Sequence, residues 1–243
     1  MTLSASGHHG KERTAGRRRA RLVDRYALAL DARRRHARPT VKLFYTSTSP
    51  FVRKCLVVAH ELGLAARIDT EMLRPSPLEP SPVLTRVNPL NKIPALVTDE
   101  GCVLYDSHVI CEYLAHLAGG DAIVPPPGPA RWTTLRRHAL ADGILEAAVL
   151  VFYERLNRPS ELWWQPWLDG QRTKALQGLD ALEAEATELG DGFDLGHIAA
   201  AATLGWLEFR DVLGDIRSPR PRLFAWYDRV LARPSMQATL PRA

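Results

Sequence analysis

A chain of 243 residues is long enough to bury one large core or two small ones, and its 46% hydrophobic content comes in short periodic runs. No apolar stretch reaches the roughly eighteen residues that a membrane-spanning helix needs, so no membrane partner is expected. The net charge of +5 is local: residues 1–39 carry eleven Lys or Arg against Glu12, Asp24 and Asp31, a net +8, which leaves −3 for residues 40–243 and no basic groove for nucleic acid in the folded part.

Taken in chain order, residues 1–39 are rich in Gly, His and Arg, with one short apolar run from Tyr26 to Leu30. That run is too little to offset the entropy of ordering the segment, which is expected to be disordered. A basic arm, an Arg-rich transit peptide and a mis-assigned start that adds translated sequence upstream all fit it.

A packed pattern begins at Val41. Val41 to Tyr45 predicts a strand, and Pro50 to Leu62 a helix with apolar residues at 52, 55, 56, 59 and 62. Ser49 suits the N-cap, Pro50 the first turn and Gly63 the C-terminal stop. Ala66 to Leu73 predicts a second strand, and Pro75 to Pro89 an irregular loop or short helix. Pro94 to Thr98 with Cys102 to Leu104 predicts a hairpin turning at Asp99-Glu100-Gly101, and Ser107 to Leu117 a closing helix. Gly119, Gly120 and Pro125 to Pro129 mark a domain boundary.

Beyond it, helical periodicity recurs over 131–155, 160–189, 194–213 and 220–232. The division expected is therefore a basic tail at 1–39, a small α/β domain at 40–118, a linker at 119–129 and an all-helical domain at 130–243. The three cysteines, Cys55, Cys102 and Cys111, form no CxxC pair or zinc-like cluster. Each lies in an apolar run and reads as a small buried hydrophobe, in a chain suited to a reducing cytoplasm. No metal is expected.

Three motifs carry more specific information. They are Ser49-Pro50-Phe51-Val52-Arg53 at the first helix, Asn88-Pro89-Leu90-Asn91-Lys92-Ile93-Pro94-Ala95-Leu96 before the third strand, and Leu104-Tyr105-Asp106-Ser107-His108-Val109-Ile110 at the next helix. In this order and spacing they resemble the cytosolic glutathione S-transferase superfamily, and Pro221 to Tyr227 with Ala232 to Ser235 resembles that family's C-terminal helix and tail. The likeness extends over residues 41–238. It implies a thioredoxin-like N-terminal domain followed by an all-helical domain, a homodimer, and glutathione as co-substrate with no other cofactor. Asp142 to Ala148 and Leu207 to Arg210 resemble a bacterial subgroup.

What the resemblance implies can be set against the chemistry of each residue. Ser49 would donate its hydroxyl to the glutathione sulfur and hold it as a thiolate, although a plain helix cap also explains a serine there, and Ser47, Thr48 and Tyr45 are competing donors. Ile93-Pro94 resembles a cis-proline turn whose backbone pairs with the cysteinyl part of glutathione, the alternative being a trans proline opening a strand. Lys92 would meet the glycine carboxylate, or remain solvated. Asp106 and Ser107 would receive the γ-glutamyl ammonium and carboxylate at a helix start, where Asp-Ser is also an ordinary capping pair.

The second-substrate pocket is assigned to Phe51, Phe152 and Tyr153, with Leu145, Val149, Trp163 and Trp164 as further candidates by position. At Asp194-Leu195-Gly196-His197 the chain departs from the family's capping box by putting His197 where an acid is usual; the histidine reads as structural. The function implied is a glutathione-dependent transferase acting on an apolar electrophile in detoxification. The alternatives are a lyase, dehalogenase or isomerase using the same thiolate, or a binding protein that keeps the fold.

Overall fold

The structure, a computed structural model, describes residues 40–120 and 123–242, so the expectation for residues 1–39 lies outside the described residues. β1 (Val41–Tyr45) buries Val41, Leu43 and Phe44. α1 (Pro50–Glu61) starts on Ser49 and Pro50, and Gly63 turns the chain out of it at φ 68°, a conformation glycine adopts without a Cβ penalty. β2 (Ile68–Met72) follows, then a proline-rich stretch with one short helix, α2 (Leu84–Val87). β3 (Ala95–Val97) and β4 (Val103–Leu104) form the hairpin, closed where the Thr98 N–H donates to the Cys102 carbonyl at 2.8 Å. α3 (Ser107–Leu117) ends the α/β half.

The sheet order is β2-β1-β3-β4, with β1 parallel to β2, antiparallel to β3, and β3 antiparallel to β4. β1 and β4 therefore point the same way. The helices that follow them, α1 and α3, start at one end of the sheet and run back side by side. Cys55 and Cys111, distant in sequence, meet between these helices with their sulfurs 3.8 Å apart, both fully buried. Burial, with the Cys111 contact, pushes the Cys55 thiol well up, so Cys55 is no ready nucleophile. Cys102 departs from the buried reading and is exposed at the hairpin.

The second half is helical: α4 (Pro129–Asn157), α5 (Gln165–Ala184), α6 (Leu195–Arg210), α7 (Pro221–Leu231) and the short α8 (Pro234–Ala238). The single helix expected over 160–189 is divided, with 3₁₀ turns at Ser160–Leu162 and Ala186–Glu188 on either side of α5. Pro166 is the reason at the front, since proline fits a first turn and breaks an interior one.

α6 is the core helix, buried at every residue from Leu195 to Leu207. Thr134 of α4 donates to Asp194 just before α6 (2.6 Å), and Thr203 of α6 donates to the Ala141 carbonyl (3.2 Å), so the two helices run in the same direction. They approach closely at Gly196, where a Cβ would stand 2.8 Å from the Thr134 carbonyl oxygen. Backbone cannot yield there. Gly196→Ala is expected to cost about 1–3 kcal/mol, read by urea unfolding.

The start of α6 explains the histidine that departs from the family pattern. Asp194 caps the helix by accepting the His197 N–H at 3.1 Å, and His197 Nδ1 returns to the Asp194 N–H at 3.3 Å, while Nε2 meets the Leu189 carbonyl at 2.9 Å. The capping box is kept with different chemistry. Burial alone would raise the Asp194 carboxyl, but hydrogen bonds from His197 and Thr134 outweigh it and hold the pKa at about 2. A carboxyl depressed in the folded state stabilises above its unfolded value and loses that contribution as pH falls toward 2. On the order of 1–2 kcal/mol should therefore separate the native chain from Asp194→Asn at pH 7, shrinking below about pH 4 in denaturant titrations.

Candidate functional site

Strand register gathers the three motifs. Phe44 pairs with Ala95 and Leu96 with Leu104, so the loop after β1, the Ile93-Pro94 step before β3 and the Asp106-Ser107 start of α3 lie side by side at one end of the sheet. That end also carries the N-termini of α1 and α3, where free N–H groups concentrate partial positive charge.

Ser49 caps α1: its Oγ accepts the Val52 N–H at 3.3 Å, and its own hydroxyl hydrogen meets no acceptor among the described residues. Ser47 is engaged otherwise, donating to the Arg242 carbonyl at 2.9 Å and tying the chain's last residues to this loop. Arg53, one turn into α1, extends the tie by donating to the Met236 carbonyl at 3.2 Å.

The Ile93-Pro94 peptide is cis, and Pro94 is buried while Lys92 is exposed. Two asparagines that the sequence reading passed over shape this turn. Buried Asn88 accepts the Leu90 N–H (3.0 Å) and donates to the Lys92 carbonyl (2.8 Å); Asn91 sits at φ 52° and accepts the Ser81 N–H at 2.9 Å. Asn at a left-handed position was the available signal. Asp106 caps α3 by accepting the His108 N–H at 3.0 Å, and Ser107 behind it is buried, its carbonyl facing the Cys55 thiol at 3.6 Å.

Sequence reasoning also missed a charged cluster beneath the site. Lys54 of α1, 1% exposed, donates to both oxygens of Asp142 on α4 at 2.7 Å, and its Nζ is 2.6 Å from His138 Nε2. Burial holds His138 low, which suits a neutral ring accepting from Lys54. Burial works against ionising Asp142, yet the contacts with His138 and Lys54 hold its carboxyl below the usual range. The His138 ring in turn meets His108 edge-on at 4.5 Å. This cluster joins the two halves, and no local signal in α1 distinguishes Lys54 from a surface lysine.

Of the pocket candidates, Phe51 is half-buried under the Lys54 ammonium (5.9 Å), and Phe152 and Tyr153 meet with ring centroids 5.6 Å apart at the C-terminal part of α4. α4 runs opposite to α3, as His138 opposite His108 and Arg131 opposite Glu112 require, so residues 145–157 rise toward the sheet end that carries Ser49. Leu145 is buried in the core, whereas Trp164 is largely exposed. Among the described residues no group of three or more His, Cys, Asp or Glu is arranged to hold a metal ion, and no helix is long and apolar enough to cross a membrane.

A thioredoxin-like sheet whose cis-proline end faces an all-helical half defines a class, and comparison with known proteins gives its family. The family descriptions "Glutathione S-transferase, N-terminal domain" and "Glutathione S-transferase, C-terminal domain" match residues 48–117 and 165–229. The uncharacterized GST-like protein YibF of Escherichia coli (strain K12) is 33% identical over 204 residues, covering 83% of this chain and 98% of its own. A glutathione transferase family member from Pseudomonas fluorescens Pf-5 with bound glutathione is 45% identical, with a TM-score of 0.82 over 84% of this chain and 100% of its own. A second structure from that organism, with bound S-(propanoic acid)-glutathione, aligns over the same shares at 45% identity and a TM-score of 0.77. The chain belongs to the glutathione S-transferase family.

Proposed function

We propose that the chain binds glutathione at the sheet end formed by Ser49, Ile93-Pro94 and Asp106-Ser107 and joins the glutathione sulfur to an electrophilic carbon. The observation that carries the reading is the register that brings those three motifs together, with a cap hydroxyl whose hydrogen is unused. Relatives holding glutathione and S-(propanoic acid)-glutathione support it.

The energetics are adequate. A thiol of pKa about 8.5 becomes mostly thiolate at neutral pH after a shift of about two units, or roughly 2.7 kcal/mol. A hydroxyl donating to the sulfur anion contributes about 1.5–3 kcal/mol, and the positive end of α1 about 0.3–1. Ser49 supplies the hydroxyl. The Ile93 backbone pairs with the cysteinyl unit, Ser107 donates to the γ-glutamyl carboxylate, Asp106 accepts from its ammonium and Lys92 neutralises the glycine carboxylate. The thiolate then attacks a carbon held against Phe51, Phe152 and Tyr153, and the leaving group departs with the electron pair of the broken bond.

In this reading residues 40–118 form the glutathione-binding unit, 119–129 the linker and 130–243 the pocket-bearing unit. The working form is a cytoplasmic homodimer, in keeping with three free thiols. Retention on immobilised glutathione, followed by turnover of a panel of aryl halides, alkyl halides, aryl ethers and isomerisable substrates, tests it. Failure to bind at millimolar glutathione would favour a binding protein that keeps the fold.

A further inference from the structure

Among the described residues, Arg210 is a cation without a counter-charge. Nearby arginines have acceptors: Arg217 meets Glu208 and Asp228, Arg158 meets Glu154, and Arg155 and Arg172 donate to the Val212 carbonyl. Arg210 instead lies over two rings, 4.8 Å from the centroid of Phe152 and 4.8 Å from that of Phe209. Its Nε is buried with no hydrogen-bond partner, and among the described residues no carboxylate or carbonyl accepts from its terminal nitrogens. A guanidinium offers five donors and no acceptor. Stacked on aromatic faces it is held in one plane, ready for a planar oxyanion.

Its position along the fold matters as much. α6 runs with α4 toward the sheet end that carries Ser49, and Gly205 abuts Arg53 of α1, since a Cβ there would stand 2.2 Å from Arg53 Nη1. Ser49 is four residues back along α1, about 6 Å, and Arg210 five residues on along α6, about 7.5 Å, in the same direction. Both residues thus lie toward the same sheet end, and Arg210 stands over Phe152 beside Tyr153. Burial lowers Arg210 from the usual arginine range, with the nearby Tyr153 opposing the change, as expected of a cation lacking an anion.

We propose that Arg210 makes the second-substrate pocket selective for electrophiles that carry a carboxylate, the apolar body lying against Phe152 and Tyr153 and the carboxylate on the guanidinium's terminal nitrogens. The inference rests on the glutathione-transferase reading. Its test uses matched conjugates, so that binding alone decides: S-(4-carboxy-2-nitrophenyl)glutathione and its carboxamide counterpart, titrated by calorimetry into the full chain, Arg210→Met and Arg210→Lys, with glutathione as the reference for folding. The native chain should prefer the acid about tenfold. Arg210→Met should weaken the acid about ten- to hundredfold, the effect of losing a charge-assisted hydrogen bond, while amide and glutathione affinities stay within about threefold and Arg210→Lys restores part of the loss. Equal binding of acid and amide by the native chain, or a parallel fall for both in Arg210→Met, overturns the proposal and leaves glutathione binding standing. Loss of glutathione binding by the native chain overturns both.

Discussion

Asp142→Leu is expected to destabilise the chain by about 3–5 kcal/mol, the usual consequence of stranding a buried charge. Lys54 is almost fully buried, and its ammonium is held by the two Asp142 oxygens and His138. Without the carboxylate, the lysine must lose its proton or pull α1 away from α4. Replacing Lys54 by methionine in the same chain should recover most of the loss, because an apolar pair of similar volume has no charge to desolvate. Urea unfolding of the single and double variants measures both. A loss below about 1 kcal/mol in the single variant would mean that the pair behaves as a surface ion pair.

Ser49→Ala is expected to raise the pKa of bound glutathione by about one to two units and to lower kcat/KM at neutral pH about ten- to hundredfold, since one hydrogen bond to an anion is removed. It also removes the cap of α1, where Ser49 accepts from Val52, at a cost of about 1 kcal/mol. The two effects separate cleanly. A serine that only caps gives the stability loss with an unmoved thiolate pKa, whereas a serine that donates to sulfur gives both.

The α/β half was readable because its punctuation is local. Pro50 and Gly63 bracket α1 to within one residue, and Asp106-Ser107 opens α3 at the residue expected. The same holds for the motifs of the site, each a turn chemistry before a helix or strand. What escaped the sequence depends on partners far along the chain. Lys54 finds Asp142 88 residues later, and Cys55 meets Cys111 56 residues later. No periodicity within α1 distinguishes these contacts from ordinary surface and core. The break before α5 was different: Pro166 announced it, and helical periodicity in the surrounding residues overrode the proline. His197 was readable as structural, but only the folded geometry gives the partners of its two ring nitrogens, Asp194 and the Leu189 carbonyl. Arg210 was part of a recognised run, yet its lack of a carboxylate partner among the described residues is a property of packing.

In the proposed complex this chain holds glutathione as a thiolate against Ser49. Titration of bound glutathione by the ultraviolet absorbance of its thiolate, with the native chain in excess, addresses it directly. The expected pKa is about 6.5, roughly two units below a free thiol. A bound thiol that still titrates at about 8.5 would contradict it.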